Sequence, residues 1–347
     1  SVAVSINKDL VTRSAKPIAN KTWVNWNGAV YISPNAIFEP STLKDLIDIV
    51  KLAKTNNKTI RCAAQGHTES SLSVTKNYLV VVNKLNQITV KKLPKYGWVA
   101  TAEADLIWVK NWVRTDESVS FTEQQIKQLR ETQIQDYIKQ YELLSSLLQN
   151  PEATPNITAT IWKSVTSNGN TSSVLQAPDA IHYAFGEEYL KSEVIEIGFK
   201  VDPDFSNIVA ELYHLIQKIY EFARKGKFPI NRSVVFRFIK SSEALLSNTF
   251  NHDPKTLYCY LNFGSVFGTP GWNEFILFIT QRFFDKYKAK LHWGKQWENA
   301  ANVESYYSDL LSDQIKQFEK VREKYDPDKI FFDNKSLEDI FSRVLYS

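Results

Sequence analysis

The sequence contains no methionine and only 11 glycines among its 347 residues. Both counts are low for a globular protein of this size. A sequence from which the methionines and a glycine-rich segment are missing would have this composition. We therefore expect the complete protein to be longer than this chain, with an intact mass above 39.9 kDa. The alternative is that the segment is deleted from the protein itself.

Cysteine is equally scarce, since only Cys62 and Cys259 occur. Two thiols cannot form a disulfide framework or a zinc site between them. Both lie in apolar, strand-like runs, which predicts two buried free thiols. Three of the histidines, His182, His214 and His252, have no spacing suited to a metal, so we assign no metal ligands.

Long apolar runs and concentrated positive charge are also missing. No run approaches the length that crosses a bilayer, so we expect no transmembrane helix. The 42 Lys and Arg against 38 Asp and Glu give a net charge of +4, with the basic residues scattered, which argues against a nucleic-acid partner. Six N-x-S/T sequons favour a secreted or organellar compartment slightly over the cytoplasm, but chance also produces them, so the compartment stays open.

The first part of the chain has the pattern of a folded α+β unit. With 43% hydrophobic residues, the chain is typical of a globular protein, and its length favours two domains. Thr42 and Asp45 form a capping-box-like start to an amphipathic helix within residues 30–103. Short β-rich runs predict strands over residues 29–32, 59–64, 78–83 and 98–103.

The remainder of the chain predicts a second α+β domain. Residues 121–148 have the pattern of a long amphipathic helix, and residues 151–178, rich in Ser, Thr, Asn and Pro, are typical of a loop. Further along, the patterns predict strands over residues 192–201, 233–240 and 256–264, and helices over residues 207–224, 270–287 and 308–325.

A loop of small residues lies between two of the predicted strands and reads Ala63-Ala64-Gln65-Gly66-His67-Thr68-Glu69-Ser70-Ser71. Small side chains let the backbone approach a ligand, and successive N–H groups can hold a phosphate. By itself this signal is weak, because a single loop histidine is more often a solvated surface residue. The surrounding motifs decide between the two interpretations.

The order of motifs around this loop resembles the start of the flavin domain in the vanillyl-alcohol-oxidase superfamily. The motifs are Trp23-x-x-Trp26, Pro40 at a helix start, Arg61 on a strand, Gly66-His67-Thr68-x-Ser70, and Leu85-Asn86-Gln87-Ile88. The resemblance is greatest to aldonolactone oxidases and covalent-flavin cholesterol oxidases. In those families the loop wraps the FAD pyrophosphate, and its histidine is often bonded to the flavin. The resemblance therefore implies FAD, covalently held through His67, with phosphates lined by Gly66, Thr68, Ser70 and Ser71.

The C-terminal half is similar to the substrate-binding domain of the same families. Its landmarks are, in order, Phe228-Pro229-Ile230-Asn231, Val234-Val235-Phe236-Arg237, Tyr260-Leu261-Asn262, Gly268-Thr269-Pro270, His292-Trp293-Gly294-Lys295 and Tyr325-Asp326-Pro327. The resemblance implies catalytic roles for Arg237, Asn262 and Lys295. Without it, Arg237 would be an ion-pair residue at a domain edge, Asn262 a polar residue at a strand edge, and Lys295 a surface residue beside a buried Trp293.

Two features depart from the family pattern. The family strand reads Glu-x-Arg, with both side chains on one face, and here Val235 replaces the glutamate while Arg237 remains. A carboxylate at that position would help to take the substrate hydroxyl proton. In addition, the glycine-rich stretch expected after Glu103 is missing, and the chain continues through Asn111 directly into sequence typical of the substrate domain.

These observations predict an incomplete PCMH-type FAD-binding domain combined with an α+β substrate-binding domain that has an antiparallel sheet flanked by helices. The expected boundaries are residues 1–111 for the flavin part, 112–302 for the substrate domain and 303–347 for a segment that returns to the flavin part. The implied activity is oxidation of a hydroxyl group on a sugar, aldonolactone, alditol or sterol-like substrate, with hydride transfer to FAD and oxygen as acceptor. The alternative is an inactive descendant with a binding or structural role. Oligomeric state has no signal in the sequence.

Overall fold

The computed structural model describes residues 16–18, 21–25, 28–64, 66–85, 88–93, 97–102, 122–166, 191–232 and 234–346. The strands are β1 Trp23–Val24, β2 Tyr31–Ile32, β3 Ala36–Phe38, β4 Ile60–Ala63, β5 Tyr78–Val81, β6 Ile88–Leu93, β7 Gly97–Ala102, β8 Ser192–Lys200, β9 Val235–Lys240, β10 Leu257–Val266 and β11 Lys290–Leu291. The helices are α1 Leu43–Thr55, α2 Glu123–Ser146, α3 Thr154–Thr166, α4 Ser206–Ala223, α5 Trp272–Tyr287, α6 Val303–Leu310, α7 Ser312–Tyr325 and α8 Lys335–Leu345. Trp26, Asn86, Gln87 and the predicted junction at Asn111 lie outside the described residues.

The chain divides into two compact units, residues 1–107 with 304–347, and residues 108–303. In the first unit, β3, β5 and β4 form a parallel sheet in that order. The predicted capping box is confirmed, because the Thr42 hydroxyl accepts from the backbone N–H of Asp45 and the Asp45 carboxylate accepts from that of Thr42. Helix α1 packs on the sheet around a core formed by Ala36, Phe38, Ile49, Leu52, Ala53, Ile60, Tyr78, Val80 and Ile330.

The last part of the chain contributes directly to this first unit. The Ile60 N–H donates to the carbonyl of Ile330 (2.7 Å). Both the Thr59 and Thr75 hydroxyls donate to Asp333 Oδ2, each at 2.6 Å. The C-terminal segment therefore fixes the strand that leads into the Gly66-His67 loop.

The second unit contains an antiparallel sheet in the order β11-β8-β10-β9. One face, here called the helix face, carries large apolar side chains that pack against α5, with Phe199 5.2 Å from Phe283 and Phe263 5.5 Å from Phe275 between ring centroids. The other face, here called the polar face, carries Glu196, Arg237 and Asn262. Alternation along the strands separates the two sets.

Three predictions from the sequence were wrong in detail. Residues 151–178 were expected to form a loop, but α3 begins at Thr154. Hydroxyls of Thr154, Thr158 and Thr160 donate to carbonyls three or four residues earlier, so the polar side chains that suggested a loop are satisfied within the helix. The helix predicted over 308–325 is two helices that meet at Leu311.

The third error concerns the thiols. Cys259 is fully buried as expected, whereas Cys62 is exposed. Cys62 lies on β4, which is an edge strand, so part of that strand faces solvent. Among the described helices, none is both long and apolar enough to cross a membrane.

Candidate active site

Pairing of the strands places four side chains in one row across the polar face. Val235 on β9 lies opposite Asn262 on β10, and Asn262 lies opposite Glu196 on β8. His292, the residue after β11, continues the row, since its N–H donates to the carbonyl of Glu196 (3.0 Å). Directly paired residues of antiparallel strands point to the same face, so these four side chains are neighbours.

Arg237 connects this row to the next one. Its Nη1 lies 3.2 Å from Glu196 Oε1 and donates to Oε2 at 3.3 Å. The Glu196 side chain is only 1% exposed, while that of Arg237 is 43% exposed. A buried carboxylate needs such a partner, because an unpaired charge away from water is costly. The pair therefore holds a negative charge inside the sheet surface and a positive charge at its edge.

His292 adds a neutral ring to the same cluster. Burial lowers the pKa of His292, with Lys295 and Arg237 acting in the same direction and Glu196 in the opposite one. Its Nδ1 accepts from the backbone N–H of Gly294 (3.0 Å), so the neutral ring carries its proton on Nε2. The Asn262 amide has no hydrogen-bond partner among the described residues, which leaves it available to a ligand.

The three predicted catalytic residues are thus brought together. Arg237 and Asn262 share the polar face, and Lys295 lies close enough to His292 to affect the pKa of its ring. Trp293, expected to be buried, is only half-buried, and its indole Nε1 donates to the Leu246 carbonyl (2.9 Å). Trp297 is the fully buried tryptophan of this segment.

A second row on the polar face is closed by the loop of residues 241–256. This row pairs Arg237 with Tyr260, Tyr260 with Gly198, and Gly198 with Lys290. The Tyr260 hydroxyl donates to the Asn248 carbonyl (2.8 Å). The Lys290 ammonium donates to the Phe250 carbonyl (3.0 Å), and burial lowers its pKa to about 8. Tyr260 and Lys290 of this row thus have their polar groups bonded to backbone carbonyls of that loop.

Replacing Gly198 by alanine should destabilise the protein by about 3 kcal/mol, because overpacking a fixed core forces neighbours to move. A Cβ at this position would lie 2.1 Å from the buried Tyr260 ring. Gly264→Ala is the matched control on β10, since its Cβ would meet only ordinary contacts, the nearest at 3.5 Å. Urea unfolding of both variants checks this, and equal midpoints for the two would contradict it.

The loop predicted to hold the flavin lies in the first unit. Gly66 has φ +72, and a Cβ there would lie 2.9 Å from the Trp23 ring, so both conformation and space require glycine. The Asn25 amide donates to the Thr68 carbonyl (2.9 Å) and fixes the turn. The His67 side chain is exposed beside it. A turned backbone with an exposed imidazole fits the attachment of a flavin.

The hydroxyls of this loop are less available than the sequence suggests. Ser70 is only 1% exposed, and its Oγ lies 3.1 Å from that of Thr68. The Asn334 amide donates to both the carbonyl and the hydroxyl oxygen of Ser71, each at 3.0 Å. Glu69 in the same loop is also buried. Gly66, His67 and the backbone therefore fit the flavin better than Ser70 and Ser71 do.

Sequence reasoning missed three residues of these two regions, namely Glu196, His292 and Asn334. Glu196 has a weak signal, as a charged residue within an otherwise apolar strand. His292 belongs to the His292-Trp293-Gly294-Lys295 landmark, but the resemblance implies no role for it. Asn334 is far from Ser71 along the chain, and nothing in the sequence indicates their contact.

Solved structures and known families agree with this architecture. A cholesterol oxidase from B. sterolicum superposes with a TM-score of 0.64 at 12% identity, over 95% of this chain and 98% of that one. A solvent-stable cholesterol oxidase gives 0.67 at 12% identity, over 94% and 98%. The chain thus has the fold of the PCMH-type FAD-binding proteins.

The family is more specific than the fold. A family model described as D-arabinono-1,4-lactone oxidase matches residues 59–339. The chain belongs to this family. Two relatives are L-gulonolactone oxidase of Scyliorhinus torazame, 39% identical over 84 residues, and D-arabinono-1,4-lactone oxidase of Candida glabrata, 35% identical over 69 residues. These alignments cover 24% and 20% of this chain, and 18% and 13% of the relatives.

Proposed function

We propose that the protein is an FAD-dependent oxidase that acts on a hydroxyl group of a sugar lactone or a related polyol. Residues 1–111 and 303–347 would bind the flavin, and residues 112–302 would bind the substrate. The observation that carries the proposal is the cluster of Arg237, Glu196 and Asn262 in two adjacent rows of the polar face. The matched family favours a lactone over a sterol, the substrate class of the cholesterol oxidases.

Each group of the cluster has a role in this chemistry. A bound FAD would accept the hydride of the substrate C–H bond and later pass the electrons to oxygen. Arg237 would stabilise negative charge that develops on the substrate oxygen or nearby. The Asn262 amide and the Lys295 ammonium would orient other hydroxyl groups of the substrate, since both offer N–H donors. His292, neutral and protonated on Nε2, would donate one more hydrogen bond.

A second function is a catalytically inactive protein that keeps the fold for binding or structure. Val235 favours this inactive protein, because the family pattern has a glutamate at that position and valine has no carboxylate. The visible absorbance spectrum of the purified protein distinguishes the oxidase from the inactive protein. An oxidase should show the visible absorbance of a flavin and lose it on anaerobic addition of D-arabinono-1,4-lactone or L-gulonolactone. A flavin that dithionite bleaches but neither lactone does would support the inactive protein.

The flavin should be bonded to His67, because this imidazole is exposed beside the turn at Gly66. After denaturation and precipitation, wild-type protein should keep its yellow colour, and His67→Ala should release essentially all of it. His252→Ala, which removes an exposed histidine of the other unit, should behave as wild type. Colour that separates cleanly from the denatured wild type would exclude the covalent bond while leaving bound flavin intact.

A further inference from the structure

We propose that Glu196 is the carboxylate that accepts the substrate hydroxyl proton in this chain, in place of the glutamate that is missing at Val235. The inference rests on the proposed oxidase function and assigns one of its steps to a named atom. Glu196 is on β8, two strands from Val235 across the sheet.

Strand register is the first argument. Val235 and Glu196 flank the same residue, Asn262, from opposite sides, and all three belong to one row of the polar face. A substrate hydroxyl placed over Asn262 would therefore be within reach of a carboxylate on either side. Moving the carboxylate from β9 to β8 keeps it in the row and on the face where Arg237 also lies.

The state of the carboxylate is the second argument. Glu196 Oε2 accepts the hydrogen bond of Arg237 Nη1 (3.3 Å). Oε1 is buried and accepts no hydrogen bond from any described residue. An ionised carboxylate has lone pairs on both oxygens. Oε1 has the ion-pair contact with Arg237 Nη1 (3.2 Å) but lacks the hydrogen bond that a buried oxygen normally accepts. A substrate O–H would supply that hydrogen bond.

The pairing with Arg237 allows Glu196 to act as a proton acceptor. With an oxidised flavin bound, the O–H proton would move to Glu196 Oε1, the C–H hydrogen would leave with its electron pair to the flavin, and the carbon–oxygen single bond would become a carbonyl. The guanidinium remains beside both oxygens and offsets the negative charge of the carboxylate before the transfer and of the substrate oxygen during it. No further reactant is needed for this half of the reaction.

The test is a rescue experiment with flavin-loaded protein. Anaerobic stopped-flow reduction by D-arabinono-1,4-lactone and L-gulonolactone is measured for wild type, Glu196→Gln, and Glu196→Gln combined with Val235→Glu. The single variant should be about 100-fold slower, the typical contribution of a general base. Val235 is 43% exposed, so a glutamate fits there, and the double variant should recover about 10-fold of the loss.

The control is Glu193→Gln. Glu193 is on the same strand and also buried, but it lies on the helix face, where its Oε1 accepts from the Gly268 N–H (3.0 Å). In Glu193→Gln, the lactone should reduce the flavin at the wild-type rate. A Glu196→Gln rate equal to wild type, or a loss of rate that Val235→Glu does not recover, would overturn the inference alone. If dithionite bleaches the wild-type flavin and neither lactone does, both the oxidase function and the role of Glu196 would be overturned.

A second readout needs no flavin chemistry. The charged groups that face His292 are Glu196 on β8, Arg237 on β9 and Lys295 on its own segment. Because the negative charge of Glu196 raises the pKa of His292, Glu196→Gln should lower that pKa in an NMR titration, and Glu193→Gln should leave it unchanged. An unchanged His292 pKa in Glu196→Gln would show that the carboxylate carries no charge in this row, and the inference would fail.

Discussion

Replacing Arg237 by alanine should slow the reduction of the flavin by a lactone substrate by about 100-fold or more, the usual cost of removing one fixed charge or donor from a reacting centre. Arg237 is the cation that lies against both oxygens of Glu196. Its loss removes the charge that favours a developing oxyanion. Anaerobic stopped-flow spectroscopy measures the rate directly.

The same substitution should also reduce stability, by about 2 kcal/mol, because it leaves the buried Glu196 carboxylate without its charged hydrogen-bond donor. Urea unfolding separates this effect from the loss of rate. Lys240→Ala, on the same strand but on the opposite face, is the matched control and should change neither quantity. If the lactone reduces the flavin at the wild-type rate in both Arg237→Ala and Lys240→Ala, the polar face is not the active site.

Replacing Glu211 by alanine should lower the free energy of unfolding by about 3 kcal/mol, as expected when the acceptor of a buried ionic network is removed. Glu211 on α4 is fully buried, and it accepts from Arg282 Nε (2.7 Å), Lys286 Nζ (2.7 Å) and the Tyr287 hydroxyl (2.7 Å), all on α5. Without it, two cations face each other with no acceptor between them. Denaturant unfolding at neutral pH measures the loss.

The Glu211 network also predicts a pH dependence. Burial raises the pKa of Glu211, but the hydrogen bonds from Arg282, Lys286 and Tyr287 together outweigh it and lower the pKa to about 2, against 4.5 ordinarily. A lowered pKa in the folded state means that the stabilisation is complete above pH 4.5 and is lost as the pH falls towards 2. The difference in stability between wild type and Glu211→Ala should therefore shrink over this interval. Glu221→Gln, which removes an exposed carboxylate of the same helix, should leave the unfolding midpoint unchanged, and a constant difference between pH 7 and pH 2 for Glu211→Ala would contradict the assignment.

Local sequence signals by themselves determined much of the fold. The capping box at Thr42 fixed the start of α1, because the hydrogen bonds that make it join residues three positions apart. The period of two along a strand placed position 235 and Arg237 on one face, and the structure has both on the polar face. The ordered motifs from Trp23 onwards were sufficient to identify the flavoprotein family. These features depend on residues close together in the chain or on motif order, which a single sequence contains.

Tertiary structure alone decided which groups meet. Glu196 and Arg237 are separated along the chain by helix α4, and only the register of β8, β10 and β9 brings the carboxylate to the guanidinium. The contact of Asn334 with Ser71 likewise requires the C-terminal segment to return to the first unit. Register and chain return follow from the packing of the whole sheet and core, which no window of sequence contains. The sequence therefore showed that the family carboxylate is missing at Val235, and the sheet pairing showed which carboxylate lies in the same row.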